Sequence, residues 1–430
     1  MGSPLERLRG VPWEALRLDL ALPAIGRALG GAAAEREVDR ALRSDRGLNR
    51  SGRAALAEAI FGVALWRRRL AWHASAGTGL GAGSGASAGA GLGASAGLGA
   101  SPDAGLGASA PRLLLFALLR DLAGRDDAAL LCALDGEPPP RRPPPEALAD
   151  RFSLPDWLAA LFVRELGDDG AAAFAEAICV PGPVCLRANR LRCTRDQLAA
   201  RLAAEGLATR PTRLARDGLV VETPRPNLLA LPSAREGLFE AQDEGSQLLG
   251  ELLQAEPGET VLDLCAGAGG KTLQLAAQLQ DRGTVIAHDL DDERLQRLRR
   301  RAARAGATCV EVAAPRGADR VLVDAPCSEL GTLRRGPDAR FRASEAAAAG
   351  FPALQRELLE RAAPLARKRL VYATCTLRRE ENEAVALAFE RAHPELHRVA
   401  PPVCATPEGF FRCLPHLHDT DAFFAAIWRR

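Results

Sequence analysis

The chain has 430 residues, 47% of them hydrophobic, and 56 basic against 54 acidic side chains give a net charge of +2. That length accommodates two or three domains. No apolar stretch reaches the roughly 20 residues of a membrane span, and the N-terminus lacks the charged start and apolar run of a secretory signal. The ten cysteines are scattered without a small-domain disulfide framework, which predicts reduced thiols in a cytoplasmic protein.

In chain order, residues up to about Trp72 carry helical periodicity. In "RSGRAALAEAIFGVALWRRRL", Leu56, Ile60, Phe61, Ala64 and Leu65 fall near one face. A Gly/Ala/Ser-rich segment over 74–110 follows, in which Gly-Leu-Gly-Ala-Ser occurs three times. Such a composition builds no packed core and predicts a linker or surface insertion. Its two matches to G-x-S-x-G, at Ser87 and Ser95, lack the strand before and helix after that a hydrolase elbow needs. The helical pattern resumes at "PRLLLFALLRDLAG", and "GEPPPRRPPPEA" closes a first region at about 148. Residues 149–237 mix helices and short strands, including "SLPDWLAALF" and "PVCLRANRL". From 238 to 430, strand-like runs ("TVLDLCA", "TVIAHDL", "TCVEVAA", "DRVLVDAP", "RLVYATC") mostly alternate with helical patterns. This alternation predicts an α/β fold with a mostly parallel sheet, binding its ligand at the carboxyl ends of the strands.

The first of those runs leads into "CAGAGGKT". A phosphate loop of the form G-x-x-x-x-G-K-[ST] would need glycine at position 265, where Cys265 stands. A dinucleotide fingerprint would need a third glycine where Thr272 stands. S-adenosylmethionine has no phosphate. It needs small residues for close backbone approach and an acidic group for the ribose about 20 residues later, a place that Asp289 fills. Asp289 and Asp291 could each instead cap the helix that "DLDDERL" opens.

Two cysteines follow strand-like runs. "DAPCSELGTLRR" holds Asp324 and Cys327, and "YATCTLRREENE" holds Cys375. One cysteine at a strand end is most simply a small buried hydrophobe. Two on the same sheet edge, one of them three residues from an aspartate, point to chemistry. With "AQDEGSQL", "DLCAGAGGKT" and the closing "LPHLHDTDAFFAA", these segments resemble the RsmB/Sun-type (Nop/Sun) RNA cytosine-5 methyltransferases from about Arg151 to the C-terminus.

The resemblance implies a class I S-adenosylmethionine-dependent methyltransferase domain over 238–430, Rossmann-like with a mostly parallel seven-stranded sheet. It implies a small α+β domain over 149–237, where Arg187 and Asn189 match an Arg-x-Asn pattern. More weakly it implies an all-α NusB-like RNA-binding region over 1–148. Cys375 would be the nucleophile that adds to carbon 6 of cytosine, activating carbon 5. Asp324 would contact N3, and Cys327 would assist product release. Cys265, Ala266, Gly267, Ala268, Gly269, Gly270, Lys271, Asp289 and Asp324 would bind S-adenosylmethionine. Lys271 is one of only two lysines in the chain, the other being Lys368. One departure is the lack of an acidic residue after the third strand, where "VEVAAPRGADRV" has no aspartate before Asp319. The adenine would then be read by a backbone amide, or bound less tightly.

The implied substrate is RNA, 16S ribosomal RNA first, with the target base out of its stack. A DNA cytosine methyltransferase using Cys327 and a non-catalytic RNA-binding assembly factor are the alternatives. "GTLRRGPDARFR" is the better candidate for phosphate contact, and the arginines of "RLQRLRRRAARAG" better suit the outer face of a helix. Cys404, Cys413, His416 and His418 match no standard zinc spacing, so no metal is expected. A monomer without a membrane or an obligatory protein partner is expected.

Overall fold

The computed structural model describes residues 3–75, 104–126, 140–223, 226–336 and 339–430. The chain divides into two compact units, Met1–Val180 with Arg334–Arg342, and Pro181–Leu333 with Ala343–Arg430.

The first unit is helical. Helices Leu18–Leu29, Ala34–Ser44 and Ala110–Ala117 pack on the long helix Arg50–Ala74. The Asn49 side chain starts that long helix by accepting from the Gly52 amide at 2.8 Å. Leu56, Ile60, Ala64 and Leu65 are buried as their spacing requires, but Phe61 is only half-buried. Ala55, Ala57, Val63 and Trp66 are buried too, because the helix is covered on several sides and not on one stripe. Ala74 closes the helix, and Ala104–Ser109 form a 3-10 turn. The Gly/Ala/Ser-rich stretch between them, 76–103, lies outside the described residues, as do Ser87, Ser95 and the start of the proline-rich break.

The second unit holds two sheets. The smaller is antiparallel, in the order β2-β3-β1-β4, from β1 (Cys185–Ala188), β2 (Thr209–Pro211), β3 (Gly218–Val221) and β4 (Phe239–Ala241). Leu186, Leu219 and Phe239 pack with Leu198 and Leu202 of the helix Arg195–Ala204. Each such burial contributes roughly 1.5–3 kcal/mol.

The larger sheet contains β5 (Thr260–Asp263), β6 (Thr284–Ala287), β7 (Val310–Val312), β8 (Ala318–Asp324), β9 (Ala366–Thr374), β10 (His397–Arg398), β11 (Phe411–Cys413) and β12 (Phe423–Arg429). Seven strands run in the order β10-β12-β9-β8-β5-β6-β7, and β11 adds to β12. β5 through β9 are mutually parallel, and β12 runs against each of its neighbours. The order reverses at β5, between β6 and β8, so the loop leaving β5 opens at the switch point of the sheet.

Arg187 and Asn189 stitch the two sheets together. The Arg187 guanidinium donates to the carbonyl of Gly270 at 2.8 Å and to the Gln242 side chain. The Asn189 amide donates to the carbonyls of Gly237 and Ala305, each at 2.8 Å. Burial lowers the pKa of Arg187 to about 10, which leaves it charged at neutral pH.

Candidate active site

The apolar run Val261–Leu262 carries β5 into the core, and Asp263 ends the strand. The loop then turns through two left-handed glycines, Gly267 (φ 54°) and Gly269 (φ 90°), before the helix Gly270–Gln278. Gly269 is constrained twice over. Its φ favours glycine, and a Cβ there would lie 2.7 Å from Leu298 Cγ. The Ala268 carbonyl is held by Arg301 at 2.7 Å.

Above Gly267 and Gly270 a Cβ would meet nothing within 4 Å. This open space lies beside the strand ends, at the first turn of a helix, where amides lack intrahelical partners. Asp289 borders it, following β6. Its Oδ2 accepts the Gly267 amide at 2.8 Å and its Oδ1 accepts the Asp291 amide at 2.9 Å. The helix Asp292–Ala305 is capped by Asp291, which accepts from the Arg294 amide at 3.1 Å. Asp289 is therefore committed to the glycine loop and retains lone pairs for ribose hydroxyls. Small residues, the first turn of a helix and a carboxylate at the next strand end fit S-adenosylmethionine. After β7, Ala313 takes the place where an acidic side chain would stand, and Glu311 is exposed and paired with Arg316.

Asp324 ends β8, next to β5. Lys271 Nζ lies 2.7 Å from Asp324 Oδ2. Burial opposes the lysine's charge, but Asp324 outweighs it and the net shift is upward, so the ammonium is retained. Cys327 follows Asp324, Cys375 follows β9, and their Sγ atoms are 3.4 Å apart. The hydrogen bond to Cys327, then burial, holds Cys375 well above the usual thiol range. Gly331 closes the arrangement by donating to the Cys375 carbonyl at 2.9 Å. A Cβ at Gly331 would fall 2.2 Å from the Ala422 carbonyl oxygen. The sheet thus brings together Cys327, Cys375, Asp324 and Lys271, and the glycine loop and Asp289 border the open space at the same strand ends. Cys265, in that loop, is pushed upward by burial and is an inert thiol.

Two buried carboxylates escaped the sequence reading. Asp263 is 1% exposed. Its Oδ2 accepts from Thr272 Oγ1 at 2.7 Å, and its Oδ1 has no hydrogen-bond partner among the described residues. Burial, reinforced by Asp324 and Asp289, raises its pKa to about 7. Its signal was an aspartate ending an otherwise apolar strand. Glu381, fully buried, accepts from the Ser328 amide (2.9 Å), the Ser328 hydroxyl (2.6 Å) and Gln355 Nε2 (3.1 Å). Ser328 Oγ also meets Thr376 Oγ1 at 2.9 Å, so the residues following each cysteine are joined. Arg378 lies 3.7 Å from Glu381, which commits that arginine's charge away from the thiols.

One of the two arginine-rich segments departs from expectation. Arg340, within "GTLRRGPDARFR", is fully buried. It donates to the carbonyls of Phe152 (3.0 Å) and Ile178 (3.1 Å). That guanidinium is a structural clamp and not a phosphate contact. In "RLQRLRRRAARAG", Arg301 and Arg304 each pair with Glu240 at 2.7 Å, as a sheet-covering helix requires.

Comparison with known proteins gives a consistent picture. A family model described as 16S rRNA methyltransferase RsmB/F matches residues 251–429. A model of the RsmF/B-like ferredoxin-like domain matches 154–227. The chain is 33% identical to the probable ribosomal RNA small subunit methyltransferase B of Bacillus subtilis, over 67% of this chain and 68% of that protein. It is 34% identical to the probable ribosomal RNA small subunit methyltransferase B of a Synechocystis strain, over 65% and 67%. Among solved structures, that of a methyltransferase homologue from Pyrococcus horikoshii has a TM-score of 0.59 at 26% identity, over 66% of this chain and 97% of that one. The crystal structure of PH0851 covers the whole of both chains with a TM-score of 0.73 at 24% identity, a likeness of fold.

Proposed function

The chain belongs to the 16S rRNA methyltransferase RsmB/F family, which methylates ribosomal RNA from S-adenosylmethionine, and on that premise we propose that it methylates carbon 5 of a cytosine through a covalent cysteine adduct. The observation that carries this reading is the 3.4 Å separation of Cys327 and Cys375 at the ends of adjacent strands, beside Asp324.

Carbon 5 of cytosine is a poor nucleophile. Cys375 Sγ adds to carbon 6 and leaves electron density at carbon 5. S-adenosylmethionine, when bound, supplies the electrophilic methyl group. Asp324 meets the N3 edge of the base, and Lys271 fixes the orientation of its carboxylate from 2.7 Å while holding a proton at Nζ. Cys327 then takes the proton from carbon 5, so that Cys375 can leave. The resting site keeps Cys375 protonated, so its proton leaves to solvent before it attacks, and Cys327 is a thiolate when it takes the carbon-5 proton. The base must leave its stack to reach a thiol at a strand end, so the substrate is an RNA loop, bulge or opened helix.

The test uses labelled cofactor and ribosomal RNA. Cys375→Ala abolishes transfer, and Cys327→Ala accumulates a protein–RNA adduct that resists denaturing electrophoresis. An adduct seen only with Cys375→Ala reverses the two roles. Labelling of DNA in place of RNA, or RNA binding without any labelling, overturns the proposal. Bisulfite sequencing of RNA from a deletion strain identifies the cytosine.

A further inference from the structure

Away from that site, Cys404, Cys413 and His418 converge. Cys413 ends β11, Cys404 lies across from it with a left-handed backbone (φ 53°), and the Arg412 amide donates to the Cys404 carbonyl at 2.9 Å. The two Sγ atoms are 3.5 Å apart. One ring nitrogen of His418 and both sulfurs lie within 4.8 Å of one another. Cys413 is fully buried and Cys404 is half-buried, so only Cys404 is open to a small solute.

The tautomer of His418 decides what this cluster can do. Its Nδ1 accepts the Leu414 amide at 3.0 Å. A neutral imidazole carries one proton, so that proton sits on Nε2. A metal would need one ring nitrogen unprotonated and the other free to donate. His418 offers the reverse, acting on Cys404 as a hydrogen-bond donor that favours the thiolate. The Cys413 thiol also donates to Cys404 Sγ. Two donors therefore converge on one sulfur.

We propose that Cys404 and Cys413 are an oxidant-reactive thiol pair, with Cys404 as the attacking thiolate, Cys413 as the resolving thiol, His418 as the donor that stabilises the thiolate, and hydrogen peroxide as the oxidant. The hydrogen bond from Cys413 outweighs burial and, with that from His418, brings the pKa of Cys404 to about 5, while Cys413 is pushed upward. Glu244 nearby acts against the thiolate, but it is engaged by the amides of Leu214 and Ala215. Asp243 faces Cys413, and Arg213 faces His418.

The chemistry balances without another reactant. The Cys404 thiolate attacks one peroxide oxygen, an S–O bond forms and the O–O bond breaks. The departing hydroxide becomes water with the proton that Cys404 had released to solvent. Cys413 then attacks the sulfenic sulfur, an S–S bond forms and the S–O bond breaks. The thiol proton leaves with the hydroxyl as a second water. Two thiols are oxidised to a disulfide and one peroxide is reduced to two waters. The sulfurs must close from 3.5 Å to about 2.05 Å, a movement that neighbouring hairpin strands can absorb.

The experiment exposes the full chain briefly to hydrogen peroxide, blocks remaining thiols and maps peptides by mass. A disulfide joining Cys404 to Cys413 is expected before any change at the half-buried Cys193 or Cys309, and a dithiol reductant restores both thiols. Cys413→Ser is expected to leave Cys404 as a sulfenic acid that dimedone captures. His418→Ala is expected to slow Cys404 oxidation by roughly ten-fold, as loss of thiolate stabilisation should. Oxidation of Cys404 no faster than that of Cys193 overturns the proposal. So does metal analysis finding one equivalent of zinc whose removal alone makes the pair reactive. The wild-type peptide map decides the matter even if a variant fails to fold.

Discussion

Ser328 donates both its backbone amide and its hydroxyl to the buried carboxylate of Glu381, at 2.9 and 2.6 Å. This relationship ties the residue after Cys327 to the segment that follows Cys375. Glu381→Ala would leave the amide and hydroxyl of Ser328 without that acceptor, at about 1–3 kcal/mol for each buried group left unpaired. The expected outcome is a fall in kcat of at least about ten-fold with little change in cofactor KM, since the separation of the two sulfurs loosens while the glycine loop does not. Steady-state kinetics check this, and an unchanged kcat would show that Glu381 positions nothing.

Cys375 should behave as a thiol held protonated by its neighbour. Its folded pKa lies above the ordinary value, so the thiolate fraction rises only as pH climbs past neutrality. The methyl-transfer rate of the wild type is expected to increase with pH across the neutral to alkaline range. In Cys327→Ala the main cause of the shift is gone, and alkylation of Cys375 by iodoacetamide at pH 7 is expected to speed up several-fold. Peptide mass mapping against time measures it.

Asp263 predicts a pH-dependent stability. Its folded pKa, about 7, lies above its value in the unfolded chain, so the folded state favours the protonated form. That preference contributes stability in full below the unfolded value near 3.8 and is lost as pH rises through about 7. Asp263→Asn does not titrate, so its Tm relative to wild type is expected to be higher at pH 8 than at pH 5. The difference is on the order of a few kcal/mol at most. Thermal unfolding at the two pH values checks the sign.

Gly269→Ala forces a side chain into a left-handed backbone and against Leu298. A cost of about 1–3 kcal/mol is expected from the backbone alone. The shifted loop should weaken S-adenosylmethionine binding more than it weakens RNA binding. Calorimetric titration of the cofactor beside an RNA-binding assay separates the two.

Much of the catalytic sheet could be read from local pattern. Each of the runs containing Val261, Val285, Val310, Val321 and Val371 became a strand, and all but the edge strand at Val310 are buried, mainly apolar segments bounded by turns. The loop positions of Gly267, Asp289, Cys327 and Cys375 follow from their place after those strands, and Asp324 from its place at a strand's last residue. Distances were not readable. Nothing in the spacing of Cys327 and Cys375 says that their sulfurs lie 3.4 Å apart, since that depends on β8 and β9 being neighbours in register. Asp263 and Glu381 were hidden for another reason. A buried carboxylate is defined by its partners, and Ser328 is 53 residues from Glu381. Cys404, Cys413 and His418 matched no standard metal spacing because a hairpin and a short helix, not a fixed spacing, bring them together. Arg340 misled because composition reports charge and not what the charge binds.

The clamp made by Arg340 bears on the order in which this chain can fold as it emerges from the ribosome. The helical unit is built mainly from residues before 181, yet residues 334–342 also belong to it. The carbonyls of Phe152 and Ile178 therefore wait for a guanidinium made 188 and 162 positions later. Domains whose segments are contiguous can finish in order of synthesis. Here the helical unit cannot be completed until β5 to β8, half the strands of the larger sheet, have been made.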